Sequence, residues 1–260
     1  MTREFETITA EVAERVGVLT VDRPEKRNAL SAQVLEEIAA VLDDWETDDS
    51  VGAVVFTGAG EKAFIAGADI TQLEHYDLAH GLAAHMQRLY DRIEDYPKPT
   101  LAAINGVAMG GGLELAMSCD IRLAAEGARM ALPEPTLGVL PGAGGTQRLT
   151  RLVGRGRALE MIMTSRLLCA EQAERYGLVT EVTSAEELLE RARETAETVL
   201  SKGPLAVRMA KLVVGAGGDV DQRTGLLLER LAQTLLYTTA DKQEGARAFL
   251  DKRAPQFQGR

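Results

Sequence analysis

The sequence predicts an α/β fold, and three observations lead to this class. Short apolar runs alternate with segments of helical periodicity over the first two thirds of the chain. The recurring order is strand, strand, helix, which suggests a structural repeat although no stretch is repeated literally. No Gly/Ser-rich or charged linker interrupts this part, so a single α/β body is expected. From about residue 203 the pattern is helical throughout, and we divide the chain into a core at 1–200 and a helical region at 201–260.

The first elements are predicted to be a strand pair, a helix and a buried strand. Residues 4–22 alternate and then run apolar, which is typical of two antiparallel strands. After a polar loop broken by a proline, Ser31 is placed to cap a helix. The next buried strand covers 51–58. The apolar residues of the helix fall on one stripe that packs on the core, namely Val34, Leu35, Ile38, Val41, Leu42 and Trp45.

The middle of the chain is predicted to contain an apolar loop, a helix and a central strand. Residues 63–70 are too short and too interrupted by glycine for a regular element. A loop that buries apolar side chains and presents main-chain amides is a candidate wall of a binding site. A helix follows around 78–94 and ends before two prolines. The run 100–104 is then the central buried strand.

Three successive glycines open the next helix. Gly110–Gly112 come after the central strand, so the predicted local order is strand, glycine turn, helix. Glycine has no side chain, so a ligand can approach the N–H groups at this helix start. The helix dipole favours negative charge at the same place. Glu114 lies one turn into the helix, beside a site that suits an anion.

A second candidate carboxylate follows in the sequence. Two short strands are expected at 120–125 and 129–132. Glu134 then stands between two prolines, which predicts an extended backbone and a fixed position. A second glycine-rich loop at 140–148 leads into another helical segment, and a helix–strand step at 170–182 completes the alternation.

The two glutamates and the glycine amides together suit chemistry at a carbonyl group. Burial and mutual repulsion raise the pKa values of neighbouring carboxylates, so one can act as acid and the other as base near neutral pH. Such a pair can hold a water molecule and relay a proton. Main-chain N–H groups of Gly111 and of the loop 66–69 could bind an oxyanion, which is worth about 3–4 kcal/mol of activation free energy per good donor.

Composition argues against several other classes of protein. The formal net charge of −10 disfavours binding to a nucleic-acid backbone. No apolar run is long enough to span a membrane, and the segment 1–6 lacks the apolar centre of a signal peptide, so a cytoplasmic location is expected.

Cysteine, histidine and nucleotide-binding patterns also point away from other chemistries. Cys119 and Cys169 have no CxxC partner and are interpreted as reduced packing residues. His75, His80 and His85 recur every five residues and cannot share one helical face, so no metal site is expected. The chain has no dinucleotide-binding, P-loop or G-x-S-x-G motif after its strands.

Three ordered motifs resemble the enoyl-CoA hydratase (crotonase) family. Further matches, from Asp22-Arg23-Pro24 to Phe249-Leu250-Asp251-Lys252-Arg253, extend the resemblance over essentially the whole chain. The motifs are Ala66-Gly67-Ala68-Asp69-Ile70, the stretch from Ile104-Asn105-Gly106 to Glu114-Leu115-Ala116, and the stretch from Pro133-Glu134 to Gln147-Arg148-Leu149.

The resemblance implies a spiral of repeated ββα units, followed by a helical region that forms trimers and often hexamers. It implies an acyl-CoA thioester substrate whose oxygen is held by the N–H groups of Ala68 and Gly111, with no metal or redox cofactor. Glu114 would activate water for attack at C3, Glu134 would deliver a proton to C2, and Gly142 would line the water site. The positions implied to contact CoA are Lys26, Ala29, Ala66, Gly67, Asp69 and Ile70.

The function implied by this resemblance is enoyl-CoA hydratase, which adds water reversibly to a trans-2-enoyl-CoA to give a 3-hydroxyacyl-CoA. One alternative is an enoyl-CoA isomerase, or another acyl-CoA enzyme of the same fold, that uses one glutamate as a proton shuttle. A second is an RNA-binding or scaffold protein without turnover. Both glutamates are present, which favours hydration, and the acidic composition disfavours RNA.

Overall fold

The secondary structure of the described residues consists of short strands alternating with helices, and four consecutive helices follow the last strand. The computed structural model describes residues 5–260. The strands are β1 Ile8–Ala13, β2 Val16–Val21, β3 Ala53–Gly58, β4 Ala63–Ile65, β5 Thr100–Ile104, β6 Val107–Met109, β7 Ile121–Ala125, β8 Arg129–Ala131, β9 Leu168–Cys169 and β10 Glu181–Thr183. The helices are α1 Ala32–Thr47, α2 Ile70–Leu73, α3 Leu78–Ala83, α4 His85–Glu94, α5 Gly111–Ser118, α6 Gly145–Val153, α7 Arg155–Thr164, α8 Ala170–Tyr176, α9 Leu188–Leu200, α10 Pro204–Gly217, α11 Gln222–Leu236 and α12 Ala240–Leu250, with 3₁₀ turns at Pro24–Lys26 and Glu134–Leu137.

The strands form two sheets that the chain builds in step. One sheet has the order β1-β2-β3-β5-β7-β10 and the other has the order β4-β6-β8-β9. The consecutive pairs β3/β4, β5/β6 and β7/β8 each place one strand in the first sheet and the next in the second, before the chain returns through helical segments. Each repeat therefore advances the chain by one strand in both sheets. This is the expected spiral of ββα units, and the α/β class is confirmed.

The six-stranded sheet is covered by apolar side chains on both faces. Along β3 the buried residues alternate: Val54 and Phe56 join the larger core cluster, whereas Val55 joins a smaller one. The smaller cluster is closed by α9 through Ala192 and Ala196. Because strand side chains alternate between faces, a strand buried on both sides reads as the continuous apolar run seen in the sequence.

The elements predicted at the amino-terminal end are confirmed. β1 and β2 pair antiparallel. The side chain of Ser31 accepts a hydrogen bond from the N–H of Val34 at 3.3 Å and so caps α1. The predicted stripe is buried except for Leu35, which is partly buried against the core.

Two predictions around the central strand are wrong. The segment 63–70 was expected to contain no regular element, but Ala63–Ile65 is strand β4. The order strand, glycine turn, helix omitted β6, which lies between β5 and the glycines. β4 and β6 pair in parallel, with Ala63 opposite Val107. Three-residue strands of this kind are stabilised by a partner distant in sequence, so no local periodicity marks them.

Two backbone predictions also need correction. The helix expected around 78–94 is divided into α3 and α4 by Ala84, which adopts a left-handed conformation with φ of 47°. Glu134 was expected to be extended, but it opens the 3₁₀ turn Glu134–Leu137. Pro135 stands in the first turn, where the missing N–H of proline would have no intrahelical partner and is tolerated.

The helices after α9 extend from the core and leave apolar side chains uncovered. α10 and α11 contain no buried residue. α10 is attached to the core by an ion pair of 2.9 Å between Lys211 and Asp120. The exposed apolar side chains of these helices include Leu212, Val214, Leu226, Leu231 and Leu235. The boundary at residue 200 stays a prediction. Burial resumes in α12, where Asp241 and Ala248 are buried.

Three further observations concern predictions made from composition. Residues 1–4, most of the segment on which the absence of a signal peptide was argued, lie outside the described residues. Cys119 and Cys169 are both free thiols, the first buried and the second partly buried. None of the helices within residues 5–260 combines the length and apolar character needed to cross a bilayer.

Candidate active site

Glu114 lies almost completely buried at the start of α5. Its side chain is 2 % exposed. Its Oε1 atom accepts hydrogen bonds from the N–H groups of Ala143 and Gly145, both at 2.8 Å. Burial raises the pKa of Glu114, while these two hydrogen bonds and the charge of Arg148 oppose that rise. The second glycine-rich loop therefore wraps the carboxylate and stabilises its charged form.

Glu134 reaches the same place from the 3₁₀ turn after β8. A Cβ atom added to Gly110 would lie 2.8 Å from its Oε1 atom, so the carboxylate packs against the main chain that precedes α5. Its Oε2 atom is buried and has no hydrogen-bond partner within residues 5–260. Burial raises the pKa of Glu134 to about 7, and the nearby charge of Glu114 contributes to the rise. This carboxylate is thus poised to hold a proton near neutral pH.

The predicted oxyanion donors Ala68 and Gly111 both adjoin Leu30. The N–H of Leu30 donates to the carbonyl of Gly67, and the N–H of Asp69 donates to the carbonyl of Leu30, both at 2.8 Å. This pairing leaves the N–H of Ala68 directed away from Leu30. A Cβ atom on Gly111 would lie 3.4 Å from Cδ1 of Leu30.

Neither of these two N–H groups is used by the fold of residues 5–260. Gly111 is the first residue of α5, so its N–H precedes the hydrogen bonds of the helix. In the described part of the chain, neither this N–H nor that of Ala68 donates a hydrogen bond to another residue. Next to them, a Cβ atom on Gly112 would collide with the carbonyl oxygen of Ile65, so glycine is required for β4 and α5 to approach this closely.

The residues predicted to contact CoA lie on two chain segments that run side by side. The N–H of Ala66 donates to the carbonyl of Arg27, and that of Ala29 donates to the carbonyl of Lys26, both at 3.1 Å. Lys26 and Ile70 are exposed, Ala29, Ala66 and Asp69 are partly buried, and Gly67 is buried. The exposed Gly142 lies in the loop that binds Glu114, directly before Ala143.

Arg23 connects these two segments, a role that the sequence analysis missed. Its guanidinium donates to the carbonyl of Ala29 at 2.6 Å and lies 3.5 Å from the carboxylate of Asp69. The side chains of both charged residues are largely buried. In the sequence, Arg23 is only a charged residue that precedes a proline in a polar loop. Such residues are common on protein surfaces, so nothing in the sequence indicated its two partners.

Arg148 and Tyr90 lie behind the site and were also missed. Arg148 is 8 % exposed, and its guanidinium donates to the carbonyl of Ala143 at 3.0 Å and to the carboxylates of Glu94 and Asp91 at 2.6 and 2.7 Å. The Tyr90 hydroxyl donates to the carbonyl of Gly111 at 2.7 Å. In the sequence analysis, Arg148 appears only as part of the third family motif. No local sequence pattern indicated that Tyr90 would contact the site.

We predict that Arg148→Met lowers the free energy of unfolding by about 2 kcal/mol, because it leaves the buried carbonyl of Ala143 without its donor and breaks two charged hydrogen bonds. Urea unfolding followed by circular dichroism measures the change. Arg151→Met is the control, because Arg151 lies in the same helix and forms an exposed ion pair with Asp219, and we expect a change below about 0.5 kcal/mol. Equal losses in the two variants would contradict the bracing role of Arg148.

Comparison with known proteins places this arrangement in a family. Residues 11–260 match the family model described as enoyl-CoA hydratase/isomerase. A probable enoyl-CoA hydratase of Mycobacterium tuberculosis is 43 % identical over 253 residues, which are 97 % of this chain and 98 % of that protein. A short-chain-enoyl-CoA hydratase of Clostridium acetobutylicum is 41 % identical over 252 residues, 96 % of this chain and 97 % of that protein.

The solved structures lead to the same group. The crystal structure of enoyl-CoA hydratase from Bacillus anthracis superposes with a TM-score of 0.94 at 41 % identity, covering 98 % of this chain and all of the other. The family model, the relatives and the structural match all extend over nearly the whole chain. The chain therefore belongs to the enoyl-CoA hydratase/isomerase family.

Proposed function

We propose that this protein is an enoyl-CoA hydratase that adds water reversibly across the double bond of a trans-2-enoyl-CoA. The observation that carries the proposal is a pair of glutamates with unlike surroundings, one buried and one partly buried. Glu114 accepts two main-chain hydrogen bonds, whereas Glu134 has a buried oxygen without a donor in residues 5–260 and a pKa of about 7. These surroundings favour a charged Glu114 and a protonated Glu134, which are the base and the acid that hydration needs.

The proposed mechanism uses the two carboxyl groups on one water molecule and one alkene. The N–H groups of Ala68 and Gly111 bind the thioester oxygen and polarise the conjugated double bond. Glu114 takes a proton from water while the water oxygen bonds to C3, and electrons move to the thioester oxygen to give an enolate. Glu134 then delivers its proton to C2, which restores the thioester carbonyl. Return of the proton from Glu114 to Glu134, through solvent or the bound water, completes the cycle without a metal or redox cofactor.

The CoA portion is proposed to lie along the paired segments 26–30 and 66–70. Lys26 is exposed at the mouth of this region and supplies a positive charge for the phosphates. The other residues of these two segments that are proposed to contact CoA lie towards its adenine end, namely Ala29, Ala66, Gly67, Asp69 and Ile70. Gly142 is proposed to leave space for water beside Glu114.

The substrate proposal is tested with crotonyl-CoA and with a 3-enoyl-CoA. Hydration of crotonyl-CoA removes the ultraviolet absorbance of the conjugated thioester, and we expect this loss. An isomerase would instead generate that absorbance from the 3-enoyl-CoA and leave crotonyl-CoA unchanged. A salt-dependent shift of RNA mobility without turnover of either thioester would support the RNA-binding alternative.

We predict that kcat/KM for hydration declines as the pH rises above about 7. Glu134 must carry a proton to act as the acid, and its pKa is about 7, so the protonated fraction falls with increasing pH. The decline is measured as the pH profile of kcat/KM for crotonyl-CoA. Rates that stay level well above that pH would contradict the role of Glu134 as the proton donor.

We further propose that the protein forms homotrimers, or hexamers built from two trimers, through the helical region 201–260. The exposed leucines of α10 and α11 provide an uncovered apolar surface of the kind that subunit contacts bury. Light scattering should therefore give a mass of three or six chains of 28.0 kDa each. Leu231→Glu combined with Leu235→Glu should reduce that mass, and a monomeric wild-type protein would contradict the proposal. A cytoplasmic location stays a prediction.

A further inference from the structure

Tyr90 is a fully buried residue of α4 whose hydroxyl points at the start of α5. The hydroxyl donates to the carbonyl oxygen of Gly111 at 2.7 Å. A buried tyrosine hydroxyl needs a hydrogen-bond partner. Here the partner is the same residue whose N–H is the proposed donor to the thioester oxygen, although the proposed mechanism assigns Tyr90 no role.

The main chain at the start of α5 is held at Gly110, whose N–H donates to the carbonyl of Ala131 at 3.0 Å and whose carbonyl accepts from the N–H of Glu114 at 2.9 Å. The bond from Tyr90 acts one residue later, at Gly111. Gly110 has a φ of 49°, and no side chain among the described residues caps the helix. Glycine has the greatest backbone freedom of all residues, so this stretch has little intrinsic rigidity. The atoms nearest to the position of a Cβ atom on Gly111 belong to Met86 and Leu30, and such apolar contacts do not fix the direction of a hydrogen bond. The bond from Tyr90 is directional.

Holding the carbonyl of Gly111 also restricts its N–H. The two groups belong to peptide units that meet at one Cα atom, so only two torsion angles separate them. An oxyanion donor works only when its N–H lies about 2.7–3.1 Å from the oxygen that becomes charged. A small rotation at Gly111 would therefore weaken the stabilisation of the enolate.

The Tyr90 hydroxyl remains a donor over the working pH range. Burial raises the pKa of Tyr90 well above its ordinary value, and the nearby negative charge of Glu114 adds to this effect. The next residue, Asp91, and Glu94 hold Arg148, which binds the loop around Glu114. Helix α4 thus supports both the proposed donor and the proposed base.

We infer that Tyr90 is a positioning residue that holds the N–H of Gly111 in place for the thioester oxygen. The inference rests on the proposed hydratase function. It assigns Tyr90 no contact with the substrate, and its effect on the reaction is transmitted through the main chain of Gly111.

The test compares Tyr90→Phe with Tyr96→Phe. Tyr96 is also fully buried, and its hydroxyl donates to the carbonyl of Leu42 at 2.8 Å, in a contact between α1 and the segment that follows α4. Both variants lose one buried hydrogen bond of the same type and keep the aromatic ring. For Tyr90→Phe we expect kcat for crotonyl-CoA to fall roughly 5- to 20-fold with little change in KM, because the affected interaction strengthens in the transition state. Tyr96→Phe should remain within about twofold of wild type.

A spectroscopic measurement separates positioning from a general loss of structure. Hydrogen bonding to the carbonyl of a conjugated thioester shifts its absorbance to longer wavelength, so bound cinnamoyl-CoA reports on the two donors. Because the shift is read per bound molecule, it does not depend on the folded fraction. We expect a smaller shift in Tyr90→Phe, an unchanged shift in Tyr96→Phe, and recovery when 4-aminophenylalanine, which restores a donor, occupies position 90.

Two results would overturn the inference. One is a Tyr90→Phe protein with the kcat and the cinnamoyl-CoA shift of wild type, and the other is an equal loss in both variants, which would indicate packing alone. Wild-type protein that fails to hydrate crotonyl-CoA would refute the proposed function first, and the inference would fall with it. Hydration by wild type with no difference between the variants refutes only the role of Tyr90.

Discussion

Glu114→Gln and Glu134→Gln should each reduce hydration of crotonyl-CoA by about 10²–10⁴-fold, the range expected for loss of a general acid or base. Glutamine has nearly the same shape, and at position 114 its amide oxygen can still accept the hydrogen bonds from Ala143 and Gly145. The loss should therefore appear in kcat while the melting temperature changes little. Steady-state kinetics and thermal unfolding of the same preparations measure the two effects.

The two substitutions should also differ in how they act. Glu134→Gln removes the group with a pKa of about 7, so its residual activity should lose the decline above neutral pH. Glu186→Gln, which changes an exposed glutamate, is the control and should behave as wild type. Near-normal turnover in either active-site variant would refute the assigned pair. Loss of turnover accompanied by unfolding would mean that the carboxylates serve the fold instead.

Gly110→Ala should abolish most activity and also destabilise the protein. The added Cβ atom would lie 2.8 Å from Oε1 of Glu134, and Gly110 has a φ of 49°, a conformation that favours glycine. The carboxylate must move to make room, which takes the proposed acid away from C2. We expect kcat/KM to fall by at least about 10²-fold, as for loss of the acid itself. The strained backbone should lower the free energy of unfolding by about 1–3 kcal/mol.

Gly127→Ala is the matched control for this substitution. Gly127 lies in the turn between β7 and β8, a Cβ atom there would meet no atom within 4 Å, and its φ is not positive. We expect wild-type kinetics and a stability within about 0.5 kcal/mol of wild type. If Gly110→Ala kept full activity, the close packing of Glu134 against the main chain would have no importance for the reaction.

Local signals in the sequence were sufficient for the long elements but not for the short ones. α1 was predicted correctly because Ser31 and a stripe of apolar residues mark its start and its buried face. β4 and β6 were missed because each is only three residues long, and each is stabilised by the other across an intervening stretch that includes α2, α3 and α4. The apparently continuous helix at 78–94 is interrupted by Ala84, a residue with high helix propensity whose left-handed conformation no local pattern signals.

In the candidate site, the sequence identified the two glutamates but not the groups that surround them. Glu114 and Glu134 were identified from their turns and from the family resemblance. The sequence did not indicate that Glu114 is bound by Ala143 and Gly145, 29 and 31 residues away. It also did not indicate that Glu134 packs against Gly110. These contacts, and not the glutamates alone, give the two carboxyl groups the unlike surroundings on which the proposed roles of base and acid rest.

The sequence by itself determined the α/β class, the order of the long elements, the glycine-rich turns and the two carboxylates. These features depend on residue type and short spacing, because periodicity and backbone preference act over a few residues. Only the tertiary structure decided the two short strands β4 and β6, the surroundings of the carboxyl groups of Glu114 and Glu134, and the contacts made by Tyr90 and Arg148. Those features depend on burial and on hydrogen bonds between segments distant in the chain, and desolvation exists only once the chain has folded.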